Sequence, residues 1–212
     1  MEIFNQNAGM RICDDRYRRE RARMELALRF LHHEARTQTI RTWTGLSDDR
    51  IRKLYRSYMS QARRALPRHR GKSPHQVAYF TRSLRLQEET ALLASMLSLL
   101  DVVPTAAPGA SMALGQSMLS ARVASASGPV PLADVKRGEL LCEAFEVFRL
   151  LLPAAQISFE HAVFLTTALA RGDQLRLGDC SGCGSLMVTE RFPLRLARCA
   201  HCASTPQSRA HA

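Results

Sequence analysis

Apolar residues return at helical spacing through most of this chain. Between Arg16 and about Glu34, Met24, Leu28 and Leu31 fall at i, i+4 and i+7, Leu26, Ala27 and Phe30 widen the stripe, and arginines fill the other side. That pattern predicts an amphipathic helix. Residues 1–13 lack it and read as a flexible arm. Further on, two helical segments flank Thr44-Gly45-Leu46-Ser47. Gly45 suits a left-handed turn position. Ser47 is a good N-cap, and Asp48 and Asp49 favour the positive end of the next helix dipole. Ile51, Leu54, Tyr55 and Tyr58 then recur, so residues 36–64 predict a helix-turn-helix-like segment.

Residues 66–76 form a basic loop containing Pro and Gly. Residues 77–101 predict one helix, with Val77, Phe80, Leu84, Leu92, Met96 and Leu99 on its core-facing side. Residues 102–138, rich in Pro, Gly, Ala and Ser, read as a connector with one weak helix at 110–125. A helix over 139–152 carries Leu140, Leu141, Phe145, Phe148 and Leu152; another over 158–171 starts at Ser158 and stops at Gly172. Beyond Asp173 short apolar alternation, turn glycines and paired cysteines predict small strands and knuckles. The expected organisation is an arm (1–13), a mainly α multi-helix domain (14–172), a C-terminal four-cysteine module (173–205) and a tail (206–212).

Aromatics make up only 6% of the chain, so a core must rest on Leu, Ala, Val, Ile and Met, which favours helices. Charge is uneven: residues 11–72 hold 18 Lys and Arg against 7 Asp and Glu, so the net excess of +11 is accounted for by the first third. A local basic surface of that size attracts polyanions, nucleic acid above all, although a solubilising face or an acidic protein partner fits the same charge. No run of about 18 apolar residues predicts a membrane span, and the N-terminal stretch has no secretory-signal pattern. A cytoplasmic, reducing location is expected, in which clustered cysteines serve as metal ligands rather than disulfides.

Cys180 and Cys183 form one CxxC pair, Cys199 and Cys202 the second, with fifteen residues between the pairs. This spacing is a strong zinc signal. Two thiolates separated by two residues grip one ion where the backbone turns tightly, which Gly182 and Gly184 ease. Two such pairs complete a tetrahedral sulfur site with no open position, so one structural Zn2+ is expected. A redox CxxC would need one pair only. His201 lies inside the second pair but finds the ligand set already filled. Cys142, on an apolar helix, reads as a small buried residue; Cys13 is assigned nothing.

The predicted second helix of the 36–64 segment carries Arg50, Arg52, Lys53 and Arg56, with Arg63 and Arg64 at or just after its end. Such a helix fits a major groove, its long cations reaching phosphates or guanine edges; a solvated basic face is the bland alternative. Thr39, Thr42, Ser47 and Tyr55 are candidates for added phosphate contacts. Trp43 reads as core. No Walker loop, GxSxG or HExxH occurs, and His32-His33 beside Glu34 lack a third partner, so no enzymatic activity is expected.

Several segments, in order, resemble the FlhC family of flagellar master transcriptional regulator subunits: ARMELALRFLHHEARTQTIRTWTGLSDDRIRKLYRSY, the stretch from SPHQVAYF, FEVFRLLL, HAVFLTTALARGDQLRLGDCSGCG and RCAHCASTPQSR. The resemblance implies a four-cysteine zinc site on Cys180, Cys183, Cys199 and Cys202. It also implies binding of promoter DNA with an FlhD-like subunit in a heterohexamer, and activation of flagellar operons by recruiting RNA polymerase. The expected function is thus DNA-dependent transcription activation. The competing expectation is a zinc-containing adaptor that binds an acidic protein and touches no DNA.

Overall fold

The computed structural model describes residues 7–61, 71, 73–103, 132–193 and 196–204. They are mainly helical: α1 (Asn7–His32), α2 (Thr37–Thr44), α3 (Asp48–Gln61), a 3-10 turn (Val77–Phe80), α4 (Leu84–Leu99), α5 (Leu132–Leu151), α6 (Phe159–Arg171), strands β1 (Leu175–Asp179) and β2 (Leu186–Glu190), and α7 (Ala200–Ser204). The expected mainly α fold with a four-cysteine cluster near the C-terminus is what the structure shows. Among the described residues no helix is long and apolar enough to cross a membrane.

The chain divides into two compact units. The first takes Met1–Gly71 and Ala126–Glu139, the second Lys72–Ser125 and Leu140–Ala212. This differs from the expected helical domain over 14–172 with a separate module after it: the cysteine-bearing hairpin shares a unit with α4 and α6, whereas the helix-turn-helix segment lies in the other.

In the first unit α1, α2 and α3 pack on one another. Leu26, Ala27, Phe30 and Leu31 of α1 are buried against Ile40 and Trp43 of α2, Leu46 of the turn and Ile51 of α3, with the Phe30 and Trp43 ring centroids 6.0 Å apart. Met24 and Leu28 are only half-buried, so the stripe is centred a little to one side of the predicted one. α1 also begins at Asn7, inside the expected arm. An apolar period reports where a helix is buried, and a polar stretch can be helical without it. The first turns of α5 complete this unit. Gly138 lies so close to α1 and α2 that a Cβ there would meet Leu26 Cδ2 at 2.7 Å and Trp43 at 3.3 Å. The expected connector over 102–138 is therefore helical from Leu132 onward. Gly138 serves as a point of close helix approach. The weak helix expected at 110–125 lies outside the described residues.

In the second unit α4 packs against α6, β2, α7 and the 3-10 turn, and α6 against β1. The single helix expected over 77–101 is two elements. The chain breaks at Thr81–Ser83, and Ser83 caps α4 by accepting a hydrogen bond from the Leu86 amide. The break resets the helical phase. Leu86, Leu93, Ala94 and Leu97 are buried, while Leu84 and Leu99, assigned to the core side, are exposed. α6 follows the prediction: Ser158 caps it, Gly172 ends it at φ +61°, and Phe159, Ala162, Leu165 and Leu169 are buried. The buried Glu89 of α4 ties down the loop before α6. Its Oε2 accepts from the Gln156 amide at 2.8 Å and its Oε1 from Arg85 Nε at 3.0 Å, which satisfies a carboxylate that burial alone would penalise. Cys142 is fully buried, as its apolar helix predicted.

Candidate functional site

The strands β1 and β2 form an antiparallel hairpin, Leu175 paired with Glu190 and Asp179 with Leu186. Apolar residues along it are buried, Leu175 at its base and Val188 and Met187 farther toward the loop. Arg191 fastens that base to the end of α6, its amide donating to Gln174 O at 2.9 Å and its guanidinium to Gly172 O at 2.5 Å. Between the strands the chain makes a tight loop. The Cys180 amide donates to Ser185 O and the Gly184 amide to Cys180 O, both at 2.9 Å, and Gly184 takes φ +73°, where a side chain would be strained. The second cysteine pair comes from the start of α7, where Cys199 Sγ accepts from the Cys202 amide at 3.4 Å. A bond from Ser181 N to Ala197 O, 3.0 Å long, ties the two segments together.

The four sulfurs converge, with Cys180, Cys183, Cys199 and Cys202 Sγ all within 4.8 Å of one another. Cys183 and Cys199 Sγ are 3.6 Å apart. Gly182 allows this approach, since a Cβ there would stand 3.1 Å from Cys202 Sγ. The cluster can hold a metal ion. Its electrostatics favour anionic sulfur on the first pair. Amide donors from Cys199 and Gly182, aided by Cys183, lower the Cys180 thiol to about 6. Ser185, 3.2 Å from Cys183 Sγ, lowers that thiol too. Cys202 is pushed up to about 12, chiefly because its proton serves Cys183 and Cys199. A cation among the four sulfurs replaces that shared proton. His201 is exposed and stands outside the cluster.

The other predicted site lies on α3. α2 ends at Gly45, which takes φ +68° and donates its amide to Arg41 O at 2.8 Å. Thr44, whose role the sequence did not reveal, holds the turn. Its buried hydroxyl donates to Ile40 O at 2.6 Å and accepts from the Leu46 amide at 3.3 Å. Leu46 plugs the core, and Ser47 Oγ accepts from the Arg50 amide at 3.4 Å as α3 begins. An eight-residue helix, a three-residue turn opening on glycine and a second helix, braced by α1, form a helix-turn-helix arrangement.

The predicted cations do not share one role. Arg50 is drawn onto α1, its Nη2 2.5 Å from Glu20 Oε1. Arg52 is paired with Asp49 at 3.0 Å. Lys53 and Arg56 are exposed and make no ion pair or hydrogen bond among the described residues. Arg63 and Arg64 lie outside the described residues. Thr39 is buried, which removes it as a phosphate contact, whereas Thr42 and Ser47 are exposed. Trp43 is core, as expected. His32 is exposed with its Nδ1 2.9 Å from Tyr58 Oη, and no metal-ligand group of three or more forms around it among the described residues.

No protein-family model matches the chain, and no curated protein matches it with significance.

Proposed function

We propose that this chain is a DNA-binding transcription activator subunit of the FlhC type, with one structural zinc ion and no enzymatic activity. The observation that carries the reading is the three-helix unit itself. Its second motif helix turns an exposed face of Asp49, Arg52, Lys53 and Arg56 to solvent, two of its cations without partners among the described residues. Side chains of this length on such a helix reach phosphates and base edges when the helix enters a major groove. The uneven charge agrees with it, since the whole excess of +11 falls in residues 11–72.

Cys180, Cys183, Cys199 and Cys202 hold the zinc. Four thiolates suit zinc and leave no position for a water or substrate, so the ion serves as a cross-link between the two CxxC segments. The residues around it do the rest: the amides of Gly182, Cys199 and Cys202 donate to sulfur and fix the loop. An FlhD-like subunit and RNA polymerase are the partners that the FlhC resemblance supplies, and cytoplasmic location follows from the same function.

Mobility shift of flagellar-type promoter fragments, with and without an FlhD-like subunit, tests this reading over a salt series. Retardation should weaken steeply with salt, the log–log slope growing by roughly 0.9 for each phosphate neutralised. Absence of retardation at low salt, even with the partner present, would overturn it in favour of an adaptor for acidic proteins. Metal analysis of the reduced protein checks the zinc, with one equivalent per chain expected.

A further inference from the structure

The exposed face of α3 is not a uniform cationic strip. Its first turn carries Asp49, whose Oδ1 accepts a hydrogen bond from Arg52 Nη1 at 3.0 Å. Positions 49, 52, 53 and 56 are spaced three and four apart and share one side of the helix. Arg50 is held away on Glu20, and Lys53 and Arg56 have no partner among the described residues. A carboxylate on a surface that receives a polyanion repels phosphate and weakens binding to every sequence alike. An exposed pair of this kind adds little to helix stability, and Asp48 already places an acid at the positive end of the helix dipole.

We infer that Asp49 is a positioning residue that turns Arg52 into the base-reading side chain of this face. The inference rests on the DNA-binding reading above and names what that face recognises: a G·C pair opposite the start of α3. In helix-turn-helix docking the N-terminal part of the second helix meets base edges, and Asp49 and Arg52 lie in its first turns. A free arginine beside DNA takes the nearest phosphate, a contact without sequence information. Asp49 holds one nitrogen of the guanidinium and screens it from phosphate. The remaining N–H groups of its planar fork are left for O6 and N7 of guanine, the commonest specific contact in a major groove. Lys53 and Arg56, unheld, supply the phosphate contacts that set affinity.

The test selects duplexes from a randomised DNA pool with the full-length, zinc-loaded chain and its D49A, D49E, R52K and R56A variants. Far-ultraviolet circular dichroism confirms that each variant is folded. The wild-type pool should show a position at which guanine is nearly invariant. D49A should bind mixed-sequence duplex as well or better, yet lose about tenfold in preference for that guanine, the scale of one bidentate contact. D49E should restore the preference. R52K should lose it with most affinity retained, because an ammonium cannot make the fork, and R56A should weaken all sequences alike. D49A selecting the same guanine as the wild type would overturn the inference and leave DNA binding standing. A wild-type chain that retains no duplex from the pool at low salt, even with an FlhD-like subunit added, would sink the DNA-binding reading itself, and this inference with it.

Discussion

Around Phe30 and Trp43, three helices and the turn joining two of them bury eight apolar side chains from Leu26 to Ile51, so the first unit has its own core. The cysteine hairpin is built differently. Its strands bury Leu175, Val188 and Met187, but in the cysteine loops themselves the apolar support thins: Cys183 is exposed, as are Phe192 and Leu196 in the segment that leads to the second pair. The contrast shows how a short segment is ordered when it cannot bury enough apolar surface. Burial holds the helix-turn-helix, where side chains distant in sequence interlock. In the hairpin loops four sulfurs from two short segments meet and can hold an ion, which on the zinc reading proposed above orders them. The two regions should therefore fail separately and under different treatments.

The largest effect is expected from breaking the ion. Cys199→Ser, or a strong chelator, should release the metal, a loss on the order of 10 kcal/mol of apparent binding free energy, and open the loops around Cys180 and Cys202. Hydrogen exchange should rise there while α1–α3 stay protected. A loop that remains protected without metal would mean that burial suffices at the hairpin as well. Next comes the charge on the other side of the comparison. Arg52→Glu with Arg56→Glu should cost at least about a hundredfold in DNA affinity, since two positive charges on the DNA-facing side of α3 become negative beside a polyanion, while metal content stays unchanged. Retained binding would move the recognition surface off α3.

A smaller loss should follow in the helical core. Gly138→Val forces side-chain atoms into Leu26 and Trp43 and should destabilise the three-helix unit by about 2 kcal/mol, an ordinary cost of overpacking. Denaturant melts followed by Trp43 fluorescence report it, and metal content should not change. Equal stability would mean that α5 can move away from α1 at no cost. The smallest effect is a titration. The fold lowers the Cys180 thiol from an ordinary 9.0 to about 6. That value belongs to the closed loops, so this contribution to the stability of the closed form is full above pH 9 and is lost as pH falls through about 6. Because chelation opens those loops, ultraviolet thiolate absorption in the chelated wild type should develop toward the ordinary 9.0; absorption near pH 6 would mean that the loops stay closed without metal. Metal uptake near pH 7 should release protons, because Cys202 holds its own up to about 12 until a cation replaces it.

How much could be read from the chain alone differs between these regions for physical reasons. The Gly45 turn, the Ser158 and Gly172 boundaries of α6 and each CxxC pair of the cysteine cluster were legible because each is decided within a few residues, by a backbone conformation, a side-chain cap or a two-residue spacing. The core face of α4 was misjudged because Thr81–Ser83 interrupt the helix, and a phase counted from Val77 does not survive the interruption. The start of α5 was placed too late because the Pro-, Gly-, Ala- and Ser-rich composition of the connector was carried through to 138, while the small size of Gly138 is what lets α5 come close to Leu26.

The amino-acid order by itself settled the two local devices of this protein, a glycine-led turn between helices and two sulfur pairs spaced for one cation, because short-range geometry needs no distant partner. Which arginines face outward was left to the tertiary structure. Arg50 is engaged by Glu20, a residue thirty positions away in sequence on another helix, whereas Lys53 makes no ion pair among the described residues. Pairing of that kind depends on how helices pack, and packing is fixed only when the whole core closes.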